Sequence, residues 1–234
     1  MKIPRKGTEK IRKSLLAAAS EIFADKGYRD ATVAEICEQA GANGAAINYH
    51  FGDKETLYRE SWRRAFHESL KAHPPDGGAS DDAPPEERLR AHVVSTLRRM
   101  ADKNNKEFWV VLREFINPTG LLEEVMRKEI QPLQKRTAGL VRELLGPLIS
   151  DMEVQFCELS IISQCINPMV VRRKWEGKDV KKGGPPVIND IEAYADHVVK
   201  FSLAGIQAIR KSAEAKPVRY NVMKDQRDKN RGDK

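Results

Sequence analysis

The 26 residues from Thr32 to Leu57, TVAEICEQAGANGAAINYHFGDKETL, leave the chain few ways to fold. Thr32 and Glu35 make the pattern T-x-x-E, a capping box that satisfies orphan amides at a helix start. Behind it Val33, Ile36, Cys37 and Ala40 fall at i, i+3, i+4 and i+7, the spacing of one apolar stripe. Gly41 follows, the residue most easily placed at positive φ, so the helix can stop and the chain reverse. Asn43 caps a second short helix, expected from about Gly44 to His50. Ile47 and Phe51, four apart, pin that helix to the core, and Asp53 caps a third. A short helix, a glycine turn and a second short helix form the unit in which a helix-turn-helix offers one helix to the DNA major groove. By periodicity alone, a plain all-α core remains the alternative.

On the groove reading, Ala45, Ala46, Asn48, Tyr49 and His50 lie on the outer side of the second helix or its flanks. Two small residues at its start let the backbone sit close to a groove wall. Asn48 can pair bidentately with adenine, worth about 1–3 kcal/mol of discrimination. Tyr49 and His50 suit a phosphate or a thymine methyl. Lys54 places a cation in the first turn of the next helix, against its dipole, and is expected to point at a phosphate. Arg5 and Lys6, just before the first helix, suit a minor groove or phosphate neutralisation.

The charge distribution agrees. The net charge of +7 is uneven: residues 1–73 carry 13 Lys/Arg against 10 Asp/Glu, and residues 216–234 carry 7 against 3. The stretch 74–215 carries 21 of each and is neutral. A basic N-terminal unit suits DNA contact. No run of about 18 apolar residues is present, so no membrane-spanning helix is expected. The basic start leads into an amphipathic helix rather than a signal-peptide core. Cys37, Cys157 and Cys165 are odd in number and lack a C-x-x-C pair, which fits a reducing cytoplasm. No P-loop, G-x-G-x-x-G, G-x-S-x-G or H-E-x-x-H occurs, and the five histidines are scattered, so neither an enzyme, a cofactor nor a metal site is expected.

Everything else reads helical, so the fold class is all-α. A first helix is expected over 8–26, ended by Gly27, and a longer one from Asp53 to Ala72 links the reading unit to the rest. HPPDGGASDDAPPEE, rich in Pro, Gly and Asp, marks a domain boundary near residue 74. Further helices are expected over 85–103, 105–117, 119–146 with a kink at Pro132, 151–167 and 189–213. WEGKDVKKGGPPV is a polar loop, and the basic tail 216–234 is expected to fray. The expected organisation is therefore a reading domain over 1–74 and a second helical domain over 75–215.

The helix over 151–169 is apolar on two sides, with Val154, Cys157, Ile161 and Cys165 on one and Leu159, Ile162, Ile166 and Met169 on another. Such a helix is buried twice, once in its own core and once elsewhere. With Val198, Gly205 and Ile206 of the last helix, Val154, Cys157, Ile161, Ile162 and Cys165 are the expected interface of a homodimer built as an intermolecular four-helix bundle, with a single well-buried central helix as the alternative.

The first 70 or so residues resemble the DNA-binding domain of TetR-family transcriptional regulators. The matching pieces are LLAAASEIFADKGY, TVAEICEQAGA and INYHFGDKETLY, with the family's spacing kept. The resemblance implies that Thr32, Asn43, Gly44, Ala46, Tyr49 and Lys54 lie at or near DNA. Ala45-Ala46-Ile47-Asn48 depart from the usual Gly-Thr-Leu-Tyr, and Asn-Tyr-His-Phe looks like the CecR-like branch. VVLREFINPTGLLEEVMRKEIQPLQKR and SIISQCINPM are similar to the C-terminal domain of CecR-like regulators. That implies dimerisation through the last two helices, a palindromic operator and a small-molecule effector that releases a repressor. Trp109 and Arg113, four apart on one helix, are the expected aromatic wall and charged anchor of the effector pocket, with Met126, Phe156, Gln164 and Met169 as further lining. A dimeric architectural DNA binder without effector is the alternative, separated by whether a small molecule changes operator affinity.

Overall fold

The computed structural model describes residues 6–175 and 187–215. Arg5, the side chain of Lys6, most of the polar loop after Trp175 and the basic tail 216–234 lie outside the described residues. Among the described residues there are nine α-helices and no strand: α1 (Lys6–Asp30), α2 (Val33–Ala40), α3 (Ala45–Phe51), α4 (Lys54–Ala72), α5 (Pro85–Ala101), α6 (Lys106–Ile116), α7 (Glu123–Leu145), α8 (Asp151–Trp175) and α9 (Ile191–Glu214). The all-α class read from the sequence is the observed one.

The helices build two apolar cores. The first gathers Leu15, Phe23, Ile36, Ile47, Phe51, Leu57, Tyr58 and Trp62 of α1 to α4. The second gathers Leu89, Val93 and Leu97 of α5 with Val141 and Leu145 of α7, Val154, Ile161 and Cys165 of α8, and Val198 and Ile206 of α9. The cores do not divide at the Pro/Gly-rich loop. Val110 of α6 and Leu122, just before α7, are buried in the first core, with Val111, Val125, Met126 and Ile130 packed against it. The reading domain is therefore closed from below by α6 and the first half of α7.

Several helix ends depart from expectation. Gly27 takes φ 80°, ψ 175°, and α1 resumes for a short stretch to Asp30 instead of stopping there. α8 continues through Pro168 to Trp175, well past the expected end at 167. A proline inside a helix has no N–H for the carbonyl four residues earlier, here that of Gln164. The Tyr194 hydroxyl of α9 donates to that carbonyl at 3.0 Å, so the acceptor freed by the proline is satisfied. α8 is also apolar and long enough between Asp151 and Arg172 to cross a membrane by length and composition, contrary to expectation. Its apolar residues serve two surfaces.

Which surface is which corrects the expected dimer interface. Val154, Cys157, Ile161 and Cys165 of α8, and Val198 and Ile206 of α9, are buried in the chain's own second core and unavailable to a partner. Ile162 is half-buried and Gly205 exposed. The outward apolar residues are instead Met152, Phe156 and Leu159 of α8 and Phe201 of α9, each about 60 % exposed. All three cysteines are free and buried.

The hydroxyl that rescues α8 at Pro168 is open to a direct test. Tyr194→Phe removes the hydroxyl and keeps the ring, and is expected to cost about 1 kcal/mol. Urea unfolding followed by circular dichroism measures it, and an unchanged midpoint would show that the carbonyl needs no partner.

Candidate nucleic-acid interface

α2 starts as its residues dictate. The Glu35 amide donates to Thr32 Oγ1 at 3.2 Å, and the Thr32 amide donates to Glu35 Oε2 at 3.1 Å, closing the capping box. The same carboxylate is paired with Lys26 of α1, and these bonds, Lys26 first and Thr32 second, hold its pKa down to about 2. The start of α2 is thus clasped to α1.

The turn is set by Gly41 at φ 62°, ψ 36°, the left-handed region that side chains resist. Its N–H donates to Glu38 O, and the Ala42 N–H to Cys37 O at 2.9 Å. Asn43 Oδ1 accepts from the Ala45 amide at 2.8 Å, capping α3 from one residue before its formal N-cap, Gly44. At the far end Gly52 takes φ 82° and donates to Asn48 O at 3.1 Å. Asp53 Oδ1 then accepts from the Thr56 amide at 2.6 Å and starts α4. α3 is a seven-residue rod between two glycine stops, with Ile47 and Phe51 buried beneath it.

The outer surface follows. Ala45, Asn48 and Tyr49 are exposed, Tyr49 by 77 %, and Ala46 and His50 are half-buried. The rings of Tyr49 and His50 meet edge-on, 4.9 Å between centroids. Thr32, Asn43 and Gly44 are exposed on the same unit, and a Cβ on Gly44 would meet nothing within 4 Å. The Lys54 ammonium sits 4.4 Å from the centroid of the Tyr28 ring, and burial lowers its pKa against the pull of Asp30. The ring's negative face offsets a cation placed against the helix dipole.

The mount beneath this unit is polar and lies on α6. Arg113 Nε donates to Ala24 O at 2.7 Å and its Nη2 donates to Asp25 O. Both carbonyls face the Gly27 break, where helical partners run out, so a guanidinium from α6 caps them. Arg29 returns the contact, donating to Asn117 Oδ1 and, at 3.1 Å, to Pro118 O. The Tyr58 hydroxyl of α4 donates to Glu114 at 2.8 Å, and burial together with that carboxylate pushes its pKa up. Farther along α4, Arg63 and His67 share Glu129 of α7 at 2.5 and 2.9 Å, and His73 at its end meets Asp102 at 2.9 Å. Buried Glu107 of α6 accepts from Ser69 of α4 and pairs with Arg99 of α5, both at 3.3 Å. Burial raises the Glu107 pKa, and Arg99 is the first of the groups opposing it.

The expected effector pocket comes together only in part. Trp109 and Met169 line one cleft of about 190 Å³ with Met100, Asp102, Lys103 and Arg172. Arg113 is absent from it because the α1 carbonyls hold its guanidinium. Met126 packs against the first core, and Phe156 is 59 % exposed on the outer face of α8. Gln164 spends its amide on Ser160 O and Ser202 Oγ, at 3.1 and 3.4 Å. Arg172 was missed because the helix carrying it was expected to end before Pro168. Among the described residues no group of three His, Cys, Asp or Glu is placed to hold a metal ion.

Comparison with known proteins agrees with this architecture. Residues 15–60 match the model of the bacterial regulatory proteins of the tetR family. Residues 85–206, over half of the chain, match the C-terminal domain of the HTH-type transcriptional dual regulator CecR. The CecR dual regulator of Shigella flexneri is 28 % identical over 190 residues, 74 % of this chain and 85 % of that protein. The transcriptional repressor AcnR of Corynebacterium glutamicum is 45 % identical over 47 residues, 20 % of this chain and 25 % of that protein. Among solved structures, a TetR-like transcriptional regulator from Rhodococcus sp. RHA1 superposes with a TM-score of 0.64 at 18 % identity, covering 88 % of this chain and 99 % of its own. The fatty acid degradation regulator FadR from Bacillus halodurans gives 0.61 at 18 % identity, covering 87 % and 98 %. With a glycine-bracketed recognition helix carried on a CecR-type helical domain, this chain belongs to the TetR family of DNA-binding transcriptional regulators, in its CecR-like branch.

Proposed function

We propose that the chain is a homodimeric repressor that reads a palindromic operator through α3 and is released from it by a small organic effector. The observation that carries the reading is the outer face of α3, where Ala45, Asn48 and Tyr49 are exposed on a rod whose other side is locked in the core. Asn48 is assigned the base contact, and Tyr49 and His50 the backbone. Thr32, Asn43 and Gly44 approach a phosphate, and the open space around Gly44 permits close backbone approach. Lys54, held over Tyr28, adds charge at the edge of this face, and Arg5 and Lys6 add more from the arm.

The dimer rests on the outward face of α8 and α9. Met152, Phe156 and Leu159 of α8 and Phe201 of α9 are exposed, and Phe201, Ala204, Gly205 and Ala208 repeat at helical spacing on the exposed side of α9. A Cβ on Gly205 would meet nothing within 4 Å, so its use is close approach by a second copy. Two such pairs make a four-helix bundle, and twofold symmetry sets two α3 helices about 34–36 Å apart. The effector acts through α6, which carries Trp109 in the cleft and Arg113 under the reading domain, and a coupling of about 1–3 kcal/mol suffices for regulation. The name of the CecR relative, a dual regulator, allows activation at some promoters. No catalytic role is assigned, and the cytoplasm is the proposed location because the target is chromosomal DNA.

Two experiments check this reading. With an operator selected from random duplexes, Asn48→Ala is expected to lose about 1–3 kcal/mol of preference per half-site while binding unrelated DNA as before. Retained preference would move base reading to another residue. Leu159→Glu is expected to sediment as a monomer with unchanged helical circular dichroism. A persistent dimer would place the interface elsewhere.

A further inference from the structure

We infer that the cleft between the end of α5, α6 and the last turns of α8 binds a small organic carboxylate with a single ring or short chain, its carboxylate held by Arg172. The inference rests on the effector reading above and gives that effector a chemistry.

The first observation is Arg172. Its Nη1 is shut off from solvent and has no hydrogen-bond partner among the described residues. An unmet donor on a charged group costs more than a neutral one, and a carboxylate meets it in the fork geometry that guanidinium favours.

The surrounding charge agrees in sign. Lys103 adds a second cation to the lining, and among the described residues Asp102 is the one carboxylate in it. Asp102 is already engaged, accepting from His73 at 2.9 Å and from the Asn104 amide at 2.8 Å. Burial raises its pKa, but the His73 and Asn104 bonds outweigh burial and hold it below the usual value. Among the described residues the lining carries two cations and one carboxylate, and that carboxylate is committed to His73 and Asn104.

The rest of the cleft sets the body of the ligand. Met100, Met169 and Trp109 are its apolar side, and Phe108 supports the Trp109 ring edge-on at 4.8 Å. The volume of about 190 Å³ is near the roughly 150 Å³ that holds one benzene ring. It falls below the roughly 300–1,000 Å³ of pockets for larger molecules.

The cleft also touches both supports of the reading domain. Trp109 packs against both cores and lies one helical turn before Arg113 on α6. Asp102 reaches His73, the residue that ends α4. A ligand seated against Trp109 and Asp102 presses on the two elements that hold α1 and α4.

Calorimetric titration of the full chain tests this, with benzoate, phenylacetate and hexanoate as probes and benzyl alcohol as the uncharged control. At least one carboxylate is expected to bind saturably with a Kd below about 10 mM, and Arg172→Gln to weaken it by about tenfold or more. Benzyl alcohol is expected to bind more weakly and to be indifferent to Arg172→Gln. Absence of saturable binding by all three acids, or equal binding by wild type and Arg172→Gln, overturns the proposal. Should Arg172→Gln fail to fold, the wild-type comparison decides, and benzyl alcohol binding as tightly as benzoate overturns it. Repeating the titrations on the operator complex separates the two readings. Acid binding that leaves DNA affinity unchanged upholds the site and contradicts effector release, whereas release by another compound without acid binding contradicts the site alone.

Discussion

A single guanidinium sets the geometry on which the molecule depends. Arg113, on the first helix turn after Trp109, caps the carbonyls of Ala24 and Asp25 where α1 breaks at Gly27. Those carbonyls belong to the helix against which α2 and α4 both pack. A carbonyl left bare at a helix end looks for water or a cap, and here the cap comes from 89 residues away. The reading domain is therefore seated on the helical domain rather than tethered to it by α4 alone.

The apolar packing reinforces the same connection. Val110 and Leu122 close the core of the reading domain from outside it, while Phe108, two residues earlier on α6, belongs to the other core. α6 is thus shared between two packed interiors. Interiors at native density pass on a displacement instead of absorbing it. A helix in that position suits the transfer of a change in the Trp109 cleft to α1, with Glu107, Glu114 and Glu129 as polar contacts to α4 along the way.

Much of the reading unit was legible in the sequence because its signals are local. The Thr32–Glu35 box, the stop at Gly41, the Asn43 and Asp53 caps and the buried pair Ile47 and Phe51 each depend on residues within about one or two helical turns. What failed was long-range. The two apolar stripes of α8 are alike in hydropathy, and only packing against α5, α7 and α9 shows that Val154, Cys157, Ile161 and Cys165 face inward while Met152, Phe156 and Leu159 face out. Arg113 shares a helix with Trp109, but its partners lie far upstream in sequence, so spacing alone suggested a ligand anchor. Lys54 meets Tyr28 in the same way, across 26 residues that no local rule connects. The run through Pro168 required a hydroxyl from α9, and with it the position of Arg172 went unseen.

The central claim is that Arg113 orients the DNA-reading helices without touching DNA. Operator affinity of Arg113→Ala, measured across a salt series by fluorescence anisotropy, tests it most directly. The account predicts a dimer with intact helical content, an affinity lower by about tenfold or more, and an unchanged salt slope, because no phosphate contact is removed. Wild-type affinity in that variant would show that the reading domain keeps its seat without the guanidinium, and would contradict the account.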